Sequence, residues 1–95
     1  MNHNYFVYIL SNTGRTTLYF GVTKNIPNRI LEHRENKKGF VYRYHCYELV
    51  YFEHFVQIEQ AISREKQLKG WNRSKKESLI RIKNPNWLNL LPELY

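Results

Sequence analysis

YFVYILSNTGRTTLYFGVT, residues 5–23, is the stretch that decides the fold. Its first half, Tyr5–Asn12, is apolar at adjacent as well as alternate positions, as expected of a strand covered on both faces. Thr13-Gly14-Arg15-Thr16 interrupts the run, and Thr17–Thr23 resumes it with β-branched and aromatic residues. Two strands joined as a hairpin follow from that pattern. Gly21 stands inside the second strand, where it ends the pairing or leaves room for a neighbour.

Outward from the hairpin, Asn25 can cap a helix whose early Pro27 needs no backbone donor. That helix, Pro27–Asn36, presents Ile26, Ile30 and Leu31 to a core. Lys37–Tyr44 reads as a basic loop around Gly39, and Cys46–Phe55 as a third strand. Val56–Trp71 has helical period, with Ile58, Ala61, Ile62 and Leu68 on one stripe and an end near Gly70. Ser74 can cap a basic helix running to about Lys83, which Asn84-Pro85 stops because a residue before proline avoids the α region. The tail supplies Trp87, Leu88, Leu90 and Leu91 to cover an edge of the core. The expected class is α+β, a single domain over residues 1–95 in the order strand-strand-helix-strand-helix-helix, with a small sheet covered by helices.

Ninety-five residues suit one domain, and a single cysteine, Cys46, excludes an internal disulfide framework. All eight acidic side chains are glutamates. Calcium loops, aspartate-pair nucleases and Ser-His-Asp triads therefore lose their usual carboxylate. The formal charge is +7 and it is clustered: residues 61–83 carry eight basic groups against two acidic ones, and residues 24–45 carry six against two. Clustered cations favour a polyanion, since each neutralised phosphate releases condensed counterions. Nucleic acid is the expected partner, with Lys24, Lys37, Lys38, Arg43, Arg64, Lys66, Lys69, Arg73 and Asn84 as candidate contacts. The longest apolar run, Tyr5–Leu10, is too short to span a bilayer, so no membrane partner and a cytoplasmic setting are expected.

Glu65 lies on the apolar stripe of its helix, three and four positions after Ile62 and Ala61 and three before Leu68. A buried charge is costly unless compensated, so Glu65 should meet a metal ion, an arginine or a dense set of donors. Arg29 and His33 are four apart and share one helix face; a guanidinium can clamp phosphate and an imidazole can relay a proton. Singly, each also reads as an ordinary surface residue. Tyr8 and Tyr19 fall on the paired strands as core aromatics whose hydroxyls want partners. Cys46 reads as a small buried apolar residue, and His3, His45 and His54 as surface or strand residues without metal-ligand spacing.

The combination Val7-Tyr8, Tyr19-Phe20-Gly21 eleven residues on from tyrosine to tyrosine, Arg29 ten further and His33 one helical turn later resembles the GIY-YIG nuclease superfamily. AISREKQLKGW, residues 61–71, and NPNW, residues 84–87, are similar to its small stand-alone bacterial members. Phe6 in place of the first glycine and Phe20 in place of isoleucine depart from the literal motif. The resemblance implies a three-stranded antiparallel sheet flanked by helices and an endonuclease acting on DNA, in repair or recombination. It also implies one Mg²⁺ or Mn²⁺ held by Glu65, with Arg29 on the phosphate, Tyr8 or Tyr19 on the attacking water, His33 assisting, and Asn84 as the late asparagine. All five of Tyr8, Tyr19, Arg29, His33 and Glu65 should then meet on one concave patch, Glu65 and Arg29 on the same side of the sheet. A noncatalytic nucleic-acid-binding module on the same fold is the alternative.

Overall fold

A computed structural model describes residues 3–95. Among the described residues, β1 (Tyr5–Ser11), β2 (Leu18–Thr23) and β3 (Glu48–Phe55) form one antiparallel sheet in the order β2-β1-β3. The central place of β1 accounts for its doubly apolar sequence: Val7 and Ile9 are buried in one layer, Tyr8 and Leu10 in the other. Asn12 closes the hairpin, its Oδ1 accepting from the Thr16 and Thr17 amides at 2.9 and 3.0 Å.

Helices α1 (Ile26–Glu35) and α2 (Gly39–Tyr44) cover the face that carries Tyr8, Leu10 and Leu49. Helices α3 (Ile58–Lys69) and α4 (Arg73–Lys83) cover the face of Val7, Ile9 and Tyr51 through Ala61, Leu68 and Ile80. The class and the three-stranded antiparallel sheet are those expected from the sequence. Asn25 caps α1, accepting from the Asn28 amide at 3.0 Å. The tail returns to β3, the Leu90 amide donating to the Leu49 carbonyl at 2.7 Å, and ends in a 3-10 turn, Leu91–Leu94. Among the described residues no helix is long and apolar enough to cross a membrane.

Four local expectations need correction. Gly39–Tyr44, expected inside a loop, is helix α2; with six residues and Val41 as its buried residue it is too short to show a period. The third strand begins at Glu48 rather than Cys46, because the Cys46 amide still donates to Val41 of α2, at 3.0 Å. Asn72, not Ser74, caps α4, accepting from the Lys75 amide at 2.8 Å. Leu31 is exposed and Ile58 and Ile62 are partly so, since α1 buries Ile26 and Ile30 and α3 buries Ala61 and Leu68, narrower stripes than the spacing suggests.

Candidate active site

The register of the hairpin sets Tyr8 directly opposite Gly21 of the edge strand β2. The Tyr8 ring lies across that glycine: a Cβ at position 21 would stand 2.5 Å from Tyr8 Cζ and 2.8 Å from Cε1. Gly21 thus leaves room for a ring, and the Tyr8 hydroxyl is carried from the centre of the sheet toward its β2 edge. There it meets His33 Nε2, brought by α1, at 3.1 Å. Tyr19 of β2 closes the group, its ring 5.3 Å from that of His33 in an edge-on contact and 6.3 Å from that of Tyr8.

Burial pushes the Tyr8 phenol well above its ordinary range, Tyr19, Glu65 and Glu32 adding to the shift and Arg29 opposing it. Burial, with the charge of Arg29, holds His33 below its usual value against the weaker pull of Glu32. Near neutral pH the phenol is therefore protonated and the imidazole neutral, so the Tyr8 hydroxyl donates and Nε2 accepts. The phenol oxygen keeps a lone pair for a further donor, which makes the pair a two-step path for a proton.

Arg29, 42% exposed, has one loose partner, Glu32 at 3.4 Å. With Ile58 of α3 it lines a hollow of about 330 Å³ over Val22 and Thr23, so that α1 and α3 both border β2. Glu65 sits on α3 between fully buried Ala61 and Leu68 with its side chain 19% exposed, and its ion-pair partner is the exposed Lys69 at 3.0 Å. The helices that carry the five expected residues cover opposite faces of the sheet and meet at its β2 edge. Tyr8, Tyr19, Arg29 and His33 belong to the α1/α2 layer and Glu65 comes from the other, because α3 crosses the opposite face. Tyr8, Tyr19 and His33 are in contact, whereas Arg29 and Glu65 are linked to them through the charge each exerts on the Tyr8 hydroxyl.

No cluster of three or more histidines, cysteines or glutamates fit for a metal ion exists among the described residues, so a cage of the zinc kind is not built here. A lone carboxylate does fit Mg²⁺ or Mn²⁺, which keep several waters and take phosphate oxygens as ligands. Glu65 meets that requirement, since among the described residues its ion-pair partner is one exposed lysine, Lys69. Cys46 is buried and its thiol is pushed up by that burial, as suits a packed residue rather than a nucleophile.

Among the expected nucleic-acid contacts, Lys69 and Arg73, joined by Lys76, line a hollow of about 420 Å³ beside Tyr19 and Phe40. Lys37, Lys38 and Arg43 line a second, next to α2. Lys24 borders the Arg29 hollow and Lys66 is exposed. Three of the expected contacts are already engaged, Arg73 among them, its Nε donating to Glu77 at 2.7 Å, Nη1 to the Thr16 carbonyl at 3.3 Å and Nη2 to that of Arg15. Arg64 is committed to Glu53 through two bonds of 2.9 Å and to Gln67 at 2.8 Å. Asn84 is buried, its Nδ2 donating to the Val50 and Leu88 carbonyls at 3.0 and 2.9 Å and its Oδ1 accepting from the Leu88 amide at 3.0 Å. It fastens the tail to β3 and has nothing left for a phosphate. Sequence reasoning missed Lys76 and Phe40; the four-residue spacing of Phe40 and Tyr44 is the signal that could have found the latter.

The family described as the GIY-YIG catalytic domain matches residues 4–78. A UPF0213 protein of Natronomonas pharaonis is 36% identical over 81 residues, covering 84% of this chain and 94% of its own. A UPF0213 protein of Syntrophus aciditrophicus is 38% identical over 87 residues, with 90% and 97% covered. The solution NMR structure of a UPF0213 protein from Bacillus halodurans superimposes with a TM-score of 0.56 at 28% identity, over 93% of this chain and 94% of that one.

Proposed function

The chain belongs to the GIY-YIG catalytic-domain family, a nuclease superfamily, and from that premise we propose that it hydrolyses phosphodiester bonds in DNA with one Mg²⁺ or Mn²⁺. The observation that carries the proposal is the 3.1 Å contact between the Tyr8 hydroxyl and His33 Nε2 beside the edge strand. A phenol raised by burial is a poor base on its own. In the pair, Tyr8 takes a proton from the attacking water on its free lone pair while passing its own to Nε2, so no free phenolate forms. Tyr19 flanks the imidazole and fixes its orientation.

Arg29, loosely paired and half exposed, is free to bind the phosphate and to stabilise the charge it gains in the transition state. Glu65 would hold the metal, releasing Lys69. When bound, the ion neutralises charge on the phosphate and its leaving oxygen. The test is cleavage of duplex, single-stranded, flapped and branched DNA with Mg²⁺, Mn²⁺ or chelator. Metal-dependent cleavage of at least one substrate is expected. Binding without cleavage under every condition would leave the noncatalytic module as the correct reading.

A further inference from the structure

The face of α2 that turns away from the sheet carries aromatic rings in water. Phe40 is 44% exposed and Tyr44 41%, and their rings lie 4.7 Å apart on adjacent turns of one short helix. Leaving two large rings exposed forgoes burial that a helix of six residues could use; single exposed aromatics are common, but two rings in tilted contact at 46° form one apolar patch. Phe40 also reaches inward, its centroid 5.9 Å from Tyr19, whose ring touches His33. A continuous row of rings therefore runs from the hydroxyl of Tyr8 through His33, Tyr19 and Phe40 to Tyr44.

Phe40 forms part of the wall of both basic hollows, about 420 and 520 Å³. On one side stand Lys69, paired with Glu65 at 3.0 Å, and Lys76, on the other Lys38 and Arg43, and among the described residues no carboxylate lines either hollow. Cations on both flanks of an exposed ring match a chain with phosphates outside and planar bases turned inward. A closed duplex offers phosphates but keeps its bases stacked on one another, so it would leave the rings without a partner.

We propose that Phe40 and Tyr44 form a stacking site for unpaired bases of a single-stranded segment continuous with the strand entering the Tyr8–His33 site. The inference rests on the nuclease reading for the direction of the strand, but the stacking itself is testable without chemistry. Phe40 would take a base next to the scissile phosphate with Lys38 on the phosphate, and Tyr44 the following one once Arg43, whose guanidinium lies 5.6 Å from the centre of the Tyr44 ring, turns from that ring to a phosphate. The substrate class would then be DNA with an unpaired stretch at the cut, such as a free strand, a flap or a frayed end.

Fluorescence anisotropy in chelator, where no cleavage can occur, tests it with three probes: a short thymidine oligonucleotide, the same sugar-phosphate chain without bases, and a duplex of equal length. The parent protein should prefer the thymidine strand over the abasic one. Phe40→Ala should weaken thymidine binding about 5- to 100-fold, Phe40→Trp should restore it, and abasic and duplex binding should hardly change. Tyr44→Ala should repeat the pattern more weakly, and circular dichroism confirms that each exposed-ring variant is folded. Equal affinity of the parent for the three probes, or an equal loss on all of them in Phe40→Ala, would overturn the proposal. So would binding to phosphatidylglycerol vesicles with the same Phe40 dependence and none to the thymidine strand. Absence of metal-dependent cleavage in the parent would count against the nuclease reading alone.

Discussion

Tyr51 and Tyr8 are both buried in the sheet, one in the α3/α4 layer and one in the α1/α2 layer, and burial raises both phenols above their ordinary value. Their partners differ. The Tyr51 hydroxyl donates to Glu53, whose carboxylate Arg64 grips with two bonds of 2.9 Å. Burial opposes the charge on Glu53, but Arg64 and Tyr51 outweigh it and hold the group below the usual carboxylate range. Such a carboxylate accepts a hydrogen bond and declines the proton. The Tyr8 hydroxyl donates instead to a neutral imidazole able to accept it. The same contrast separates the two glutamates, Glu53 pinned by a guanidinium and Glu65 held by one exposed lysine. A buried phenol or carboxylate is thus not in itself a sign of chemistry; the partner decides whether it is fixed or available.

The sharpest way to break this contrast is to exchange the glutamates for glutamine in turn. Glu65→Gln should all but abolish metal-dependent cleavage, by about 10³-fold or more, while the melting temperature stays close to the parent because an i,i+4 helix pair whose lysine is exposed contributes only about 0.3–0.5 kcal/mol. Glu53→Gln should keep cleavage and lose about 1–3 kcal/mol of stability, read by denaturant unfolding. The reverse assignment of losses would sink the comparison. Next in size, Arg29→Ala should lower turnover about 10²- to 10³-fold with a smaller loss of DNA affinity, measured under single-turnover conditions. A loss confined to affinity would make Arg29 an ordinary phosphate contact.

Smaller still, Gly21→Ala forces a Cβ into the Tyr8 ring and should cost about 1–3 kcal/mol of stability while displacing the hydroxyl from His33. Unchanged unfolding would mean that the ring has room to move. The mildest effect concerns pH. His33 is held below its ordinary pKa of about 6.5, so the unfolded chain binds a proton there more readily than the folded one. Stability is therefore full above that value and declines as pH falls through it toward the lowered value, and cleavage should decline with it as Nε2 loses its lone pair. Thermal melts between pH 8 and pH 5 on the parent and His33→Gln should converge on a flatter profile for the variant, and parallel profiles would remove His33 from the account.

The hairpin and the central strand were legible because β1 is buried on both faces and says so in every residue from Val7 to Leu10. Glu65 was legible for the opposite reason, a charge standing where the helix period calls for an apolar residue. Helix α2 was not, since one buried side chain in six residues leaves no period to detect. Nor could spacing separate Arg64 from Lys69. Both are basic residues of α3, and only the tertiary neighbours show that one faces Glu53 and the other the β2 edge. Asn84 came only from the resemblance, as the late asparagine, and its bonds to Val50 and Leu88 arise from the folding of the tail over β3, which spacing does not show. The order of elements along the chain likewise does not state which layer each helix joins, so the opposite approach of Arg29 and Glu65 had to await the structure.

The central claim is that the chemistry belongs to the tyrosine whose partner can take a proton. Single-turnover cleavage by Tyr8→Phe and Tyr51→Phe, measured side by side at saturating protein, tests it most directly. Removal of the Tyr8 hydroxyl should slow the reaction about 10²- to 10⁴-fold, the range of a lost acid–base group, with the fold intact by thermal melting. Tyr51→Phe should cleave at the parent rate and melt lower. Full activity in Tyr8→Phe, or equal losses in the two variants, would contradict the claim.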